Sequence, residues 1–176
     1  MKKKISRVLP ILISFILAFT IVTVAWLVQD ASVRGLRVTS TTDGVTLKIR
    51  MANDSTSPLS DTVDVGMSDL TLKPCVYADG VFYDEQGNVV SKNLQYVRSF
   101  SIHVVPEQNC RIRATKTVSG DLPVTLICNG VPVEEYTDLG VASTVATLTF
   151  YVYVDGENFN GQSTSDVVIT LHGENL

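Results

Sequence analysis

The chain of 176 residues holds 14 Lys and Arg against 18 Asp and Glu. Four of the basic residues, Lys2, Lys3, Lys4 and Arg7, precede the first acid, Asp30, so the rest carries 10 against 18, a net of −8. An acidic body of about 150 residues fits one domain and excludes nucleic acid as a natural partner, because phosphate backbones are bound through Lys and Arg.

Residues 8–28 read VLPILISFILAFTIVTVAWLV, without a charge. An apolar helix of about 20 residues can cross a hydrocarbon core about 30 Å thick. Positive charge followed by an apolar run is an export signal. Thr23-Val24-Ala25 has the small-residue pattern of a cleavage site, and a cut after Ala25 leaves Trp26 as the new N-terminus. Without a cut, the run is an anchor with Trp26 at the outer interface, where Trp is favoured. Both readings predict one N-terminal hydrophobic helix, membrane contact through 8–28 before any cleavage, and a body outside the cytoplasm.

After Gln29 the composition turns to Val, Thr, Ser, Asp and Gly. Residues 29–35 read as a short linker and 36–176 as a β-domain. A β-prone run at 36–41 meets the turn signal Asp43-Gly44, which predicts a hairpin. Val45, Leu47, Ile49 and Met51 then alternate with polar residues, the mark of a strand with one buried face. Residues 53–64 are rich in Ser, Thr, Asp and Pro and read as a loop. Asp79-Gly80 is a second turn signal. Tyr96, Phe100, Ile102 and Val104 share one phase of the next strand, with Arg98 as the exception, and Pro106 ends it.

Cys110, Ile112 and Ala114 form the apolar phase of a further strand, and Val124, Leu126 and Cys128 that of another. Asn129-Gly130 is a strong hairpin signal. The longest strand lies near 143–154, with Ala146, Leu148, Phe150, Val152 and Val154 on one phase. A Gly- and Asn-rich connection over 155–161 leads to the last strand around Val167, Ile169 and Leu171. Eight or nine strands and no amphipathic helix predict an all-β domain, an antiparallel β-sandwich or barrel.

Candidate chemistry is sparse. His103 and His172 sit on polar phases, and HExxH is absent. No G-x-S-x-G elbow exists for a serine hydrolase. Cys75 follows Pro74 in an expected loop. Cys110 and Cys128 are candidates for a disulfide outside the cytoplasm, against the reading of all three cysteines as buried free thiols. Asp155, Glu157, Asn158 and Asn160 offer oxygen ligands to calcium, against a plain hairpin loop, which turn chemistry favours. Tyr151 and Tyr153 fall on the outer phase of the longest strand, a candidate surface for stacking sugars or another protein. No cofactor is implied, and a hydrolase is the least supported class.

The Lys-rich start, the apolar signal ending in Val24-Ala25-Trp26-Leu27, the opening SVRGLRVTSTTDGVTLKI, the segment DLTLKPCVYADGVFY and the close TFYVYVDGENFN…VVITL together resemble the TasA and camelysin family of exported proteins of Gram-positive bacteria. The resemblance implies a jelly-roll-like sandwich at the cell surface or in the biofilm matrix. It also implies a fibre subunit whose N-terminal segment, here 26–39, completes the sheet of the next copy by strand addition. Camelysin members carry a metalloprotease name, and no zinc-ligand constellation supports that here. The leading expectation is a non-enzymatic structural protein that associates with itself or another surface protein. The runner-up is a membrane-anchored adhesin-like module for a glycan or protein.

Overall fold

In a computed structural model of the chain, the described residues are 31–67, 70–161 and 164–176. The expected N-terminal helix, the apolar run 8–28 and the junction of Ala25 with Trp26 lie outside them. The described part is all-β. Its thirteen strands are β1 (Ala31–Ser40), β2 (Leu47–Met51), β3 (Thr62–Asp64), β4 (Leu70–Leu72), β5 (Pro74–Ala78), β6 (Val81–Tyr83), β7 (Val97–Pro106), β8 (Cys110–Gly120), β9 (Val124–Cys128), β10 (Val131–Pro132), β11 (Thr137–Ala142), β12 (Ala146–Asp155) and β13 (Thr164–Asn175).

Alternation of apolar and polar residues builds two sheets. The six-stranded sheet runs β11-β8-β13-β1-β3, with β4 also on β1. The seven-stranded sheet runs β10-β9-β12-β5-β6, with β7 joining β12 to β2. Their inward residues form one core that includes Leu36, Val38, Ile112, Ile169 and Leu171 from one sheet and Leu47, Ile49, Ile102, Leu126 and Phe150 from the other. This is the arrangement of a β-sandwich. Phe100 and Phe150, paired across β7 and β12, stack with centroids 5.1 Å apart. Each large side chain so buried stabilises the fold by about 1.5–3 kcal/mol.

The pairing is antiparallel except in two places. β1 runs parallel to β13 over eight register pairs, and β5 makes two parallel pairs with β12. Parallel neighbours need a long crossover. For β1 and β13, the whole of the rest of the domain is that crossover.

Two of the turn signals form hairpins. Asp79 and Gly80 both have positive φ between β5 and β6, and Asn129 and Gly130 do so between β9 and β10. Asp43-Gly44 does not, because β1 and β2 lie in different sheets and the turn is a crossing between layers. Gly44 has φ +93°, and a Cβ there would strike the Gly173 carbonyl of β13. The same approach lets Val45 N donate to Gly173 O at 2.8 Å.

Strand extends into three segments read as irregular. β1 starts at Ala31, inside the expected linker, and its Ala31 and Val33 are fully buried. β3 lies in the expected loop 53–64 because it takes its partners from β1 rather than from a sequence neighbour. Cys75 lies on β5, buried rather than in an exposed loop, because the β5–β6 hairpin folds over the outside of the seven-stranded sheet. That hairpin builds a second, smaller core from Cys75, Phe82, Val90, Val97, Ile127 and Tyr153.

Candidate functional site

β1 is the candidate assembly element, the first described strand, seated between β13 and the short strands β3 and β4. Its apolar residues Ala31, Val33, Leu36 and Val38 are no more than 1% exposed. The spacing of two breaks between Val33 and Leu36, and the structure places a bulge there, between Val33 and Gly35. The extra residue, Arg34, is exposed, so the bulge restores the inward phase for Leu36 and Val38. A Cβ on Gly35 would meet Asp166 Oδ1 at 3.1 Å. Beside the bulge a cavity of about 210 Å³ is lined by Gly35, Leu36, Arg37, Asp64 and residues 166–168.

Both edges of β1 are used. On one side it pairs with β13, from Ser32 opposite Thr164 to Ser40 opposite Leu171. On the other it pairs with β4 through Ala31, Ser32 and Val33 and with β3 through Arg37, Val38 and Thr39. Thr41 N extends the ladder to Leu171 O at 2.9 Å, and Ser40 N donates to Asp61 O at 2.8 Å. On the outer face Thr39 Oγ1 lies 3.5 Å from Thr170 Oγ1. Thr62, Thr39, Thr170 and Thr115 form one cross-strand row over β3, β1, β13 and β8. Without β1, the facing edges of β13 and of β3 with β4 would carry unpaired backbone groups above an uncovered core.

The two tyrosines have different fates. Tyr151 is exposed on the outer phase of β12, as the alternation predicts. Tyr153 shares that phase but is 7% exposed, because the β5–β6 hairpin covers it. Its ring packs edge-on to Phe82 with centroids 5.1 Å apart. Burial, followed by the charge of Asp155, pushes its hydroxyl up to about 12. The candidate aromatic surface is therefore Tyr151 alone on this strand.

All three cysteines are buried free thiols. Cys110 and Cys128, the candidate bridge partners, stand on β8 and β9 in opposite sheets and share the main core. Burial pushes the Cys128 thiol up to about 12, and burial followed by Asp155 does the same to Cys75. A thiol kept protonated is a poor nucleophile.

In the 155–161 connection, Asp155 serves the turn itself. Its Oδ1 accepts from Glu157 N at 3.0 Å and its Oδ2 from Asn158 Nδ2 at 2.6 Å. Among the described residues, no three His, Cys, Asp or Glu side chains converge as a metal site would require. His172 lies between the hydroxyls of Thr115, at 3.1 Å, and Thr41, at 3.4 Å, and stacks on Tyr136. His103 stands on the outer face of β7, opposite Arg50 of β2.

Sequence reasoning missed β13 as the partner of β1. The signal for it was present: Ser165, Val167, Ile169, Leu171 and Gly173 keep one inward phase over a strand longer than the read segment. No family model matches the chain, and no curated protein matches it.

Proposed function

We propose that the protein is an exported structural subunit that assembles by strand addition, its N-terminal strand completing the six-stranded sheet of a neighbouring copy. The observation that carries this reading is the place of β1. The first described strand fills a slot between the last strand, β13, and the short strands β3 and β4. It is also the long parallel exception in an otherwise antiparallel sheet. The first described strand, held by main-chain ladders on both sides and four buried apolar residues, can make the same contacts within one copy or between two. Exchange between copies then costs little beyond opening. Repeated head to tail, a heterologous contact of this kind gives an open filament.

The resemblance to TasA and camelysin proteins, the jelly-roll-like reading of the sandwich and the placement at the cell surface or in a biofilm matrix belong to the same proposal. Their support is the charged leader with its apolar run and the motifs quoted above. The acidic body and the protonated thiols fit a structural role better than a catalytic one.

The test uses the Thr39–Thr170 pair. In the Thr39→Cys, Thr170→Cys variant of the full chain, oxidation links whichever β1 and β13 are adjacent. Strand addition predicts a ladder of interchain-linked species that grows with protein concentration on non-reducing gels. A single intrachain-linked monomer at every concentration would overturn the proposal. Deleting 26–39 should abolish filaments, and a peptide of sequence ASVRGLRVTS should restore the deletion variant as a monomer.

A further inference from the structure

The β5–β6 hairpin is apolar on both of its faces. Cys75, Tyr77, Phe82 and Val90 face the seven-stranded sheet and pack with Tyr153 and Ile127. Val76, Ala78, Val81, Tyr83 and Val89 occupy the other phase, and none of them joins either core. They stand in register: Val76 is opposite Tyr83, Ala78 is opposite Val81, and Val89 bridges to Tyr83 from the far side. Ala78 is exposed, and Val89 is 66% exposed. An antiparallel sheet with one face in water alternates apolar and polar residues, whereas near-continuous apolar strands belong to sheets covered on both faces. The outward face of this flap therefore has the composition of a covered surface.

The register fixes which end of the sandwich carries the flap. Ala31 opens β1 opposite Leu72, and β5 begins two residues further on, at Pro74. β12 finishes at the same end, with Asp155 opposite Cys75, and β13 begins there, with Thr164 opposite Ser32. The flap thus stands at the end where the body joins the apolar run 8–28 in sequence. Val28, the last residue of that run, is three residues from Ala31, a reach of about 10 Å. Leu94, 58% exposed, lies at this end too, since Lys73 N donates to Gln95 O at 2.7 Å.

We propose that the outward face of the flap rests in the interfacial layer of the lipid bilayer that holds residues 8–28. Area decides against a second copy as the cover. Five side chains of this size, already partly shielded, offer on the order of 300 Å², and a stable protein interface takes about 800 Å² from each partner. A surface too small to hold a partner in solution suffices where a covalent tether keeps it beside the layer. Tyr83 suits that depth, with an apolar ring and a polar tip. The contact is apolar rather than electrostatic. Asp79, Asp84 and Glu85 flank the strands of the flap, against Lys73 and Lys92, and the body as a whole is acidic. Anionic headgroups would add nothing. The contact requires 8–28 in the bilayer, before any cut at Ala25, and is independent of strand addition, because β1 belongs to the other sheet.

A solvent-sensitive fluorophore on Val89→Cys reads the contact, in the full chain reconstituted into phosphatidylcholine vesicles. The native thiols are buried, so the added one takes the label. Val141→Cys is the comparator. Val141 is 58% exposed and lines up through Arg111 with Glu174, at the opposite end of β13 from Thr164. Thr164 and Glu174 are about 33 Å apart along the strand. The label at 89 should emit at shorter wavelength than the label at 141, and nitroxide-bearing lipid should quench it at least about twofold more. Added Val81→Asp, or Val76→Asp where the first alters the circular dichroism, should return the label at 89 to the behaviour of the label at 141. Added salt should leave the contact unchanged.

Flotation of the chain with the vesicles is scored first. A chain that does not float overturns the anchor reading and the flap contact together. A floated chain whose label at 89 behaves like the label at 141 overturns the flap contact alone. So does lipid quenching that the aspartate variant leaves intact. Shielding of the label at 89 that disappears when the copies are diluted in excess lipid identifies a second copy as the cover, and it overturns the lipid contact as well.

Discussion

Tyr151 and Tyr153 are two residues apart on one face of one strand, yet one is a surface and the other a core residue. Truncation separates them. Tyr153→Ala should cost about 3 kcal/mol, the usual penalty for removing a buried aromatic, and Tyr151→Ala less than about 1 kcal/mol. Urea denaturation of both variants checks this. Gly44 is required twice over, by its φ of +93° and by its approach to Gly173. Gly44→Ala should therefore cost about 2 kcal/mol or more, read by the same method. The thiols set an alkaline limit on stability. Folding raises Cys75 and Cys128 from 9.0 to about 12. The folded state holds protons that the unfolded state gives up, so their contribution is full below pH 9 and is lost as the pH rises toward 12. Melting temperature should fall steadily over that window, and a flat profile would contradict the buried placement of these groups. Lys116 stands on the inward phase of β8 after Cys110, Ile112 and Ala114. It survives there because its ammonium donates to the Val124 carbonyl at 3.2 Å. Burial lowers its pKa, against the pull of Glu134 and Asp155.

Among the elements, β1 contributes both to stability and to the proposed assembly, and the two can be separated. Leu36→Ala removes a fully buried side chain from the middle of the strand and should cost about 2–5 kcal/mol. Because the same contact is made in either partner, filaments of this variant should dissociate at lower denaturant than those of the parent, in step with the loss in monomer stability. Electron microscopy across a urea series checks this, and unchanged filament resistance would mean that β1 is not the exchanged element. The β5–β6 hairpin has the opposite character. It turns on Asp79-Gly80, a signal readable in the sequence, but its target is not readable. Phe82 seats against Tyr153 and Tyr77 on the outside of a sheet, and nothing in the local pattern says that this face is to be covered.

For the whole molecule, the proposed export makes one direct prediction. Mass measurement of the protein from a producing cell's envelope and medium should find either a chain beginning at Trp26 or the full chain held in the membrane, with the body accessible to added protease from outside. A body protected inside intact cells would overturn the export reading. The all-β class, the inward phases of β7, β9 and β12 and two of the hairpins could be read from the chain, because side-chain alternation and the positive φ of Asp-Gly and Asn-Gly are local physics. Local pattern cannot say which strand neighbours which. The parallel seating of β1 on β13, the crossing at Gly44 and the burial of Tyr153 and Cys75 all depend on segments far apart in sequence. They were decided by how two sheets bury their apolar faces together, since a strand's edge and outer face acquire meaning only when the rest of the chain arrives.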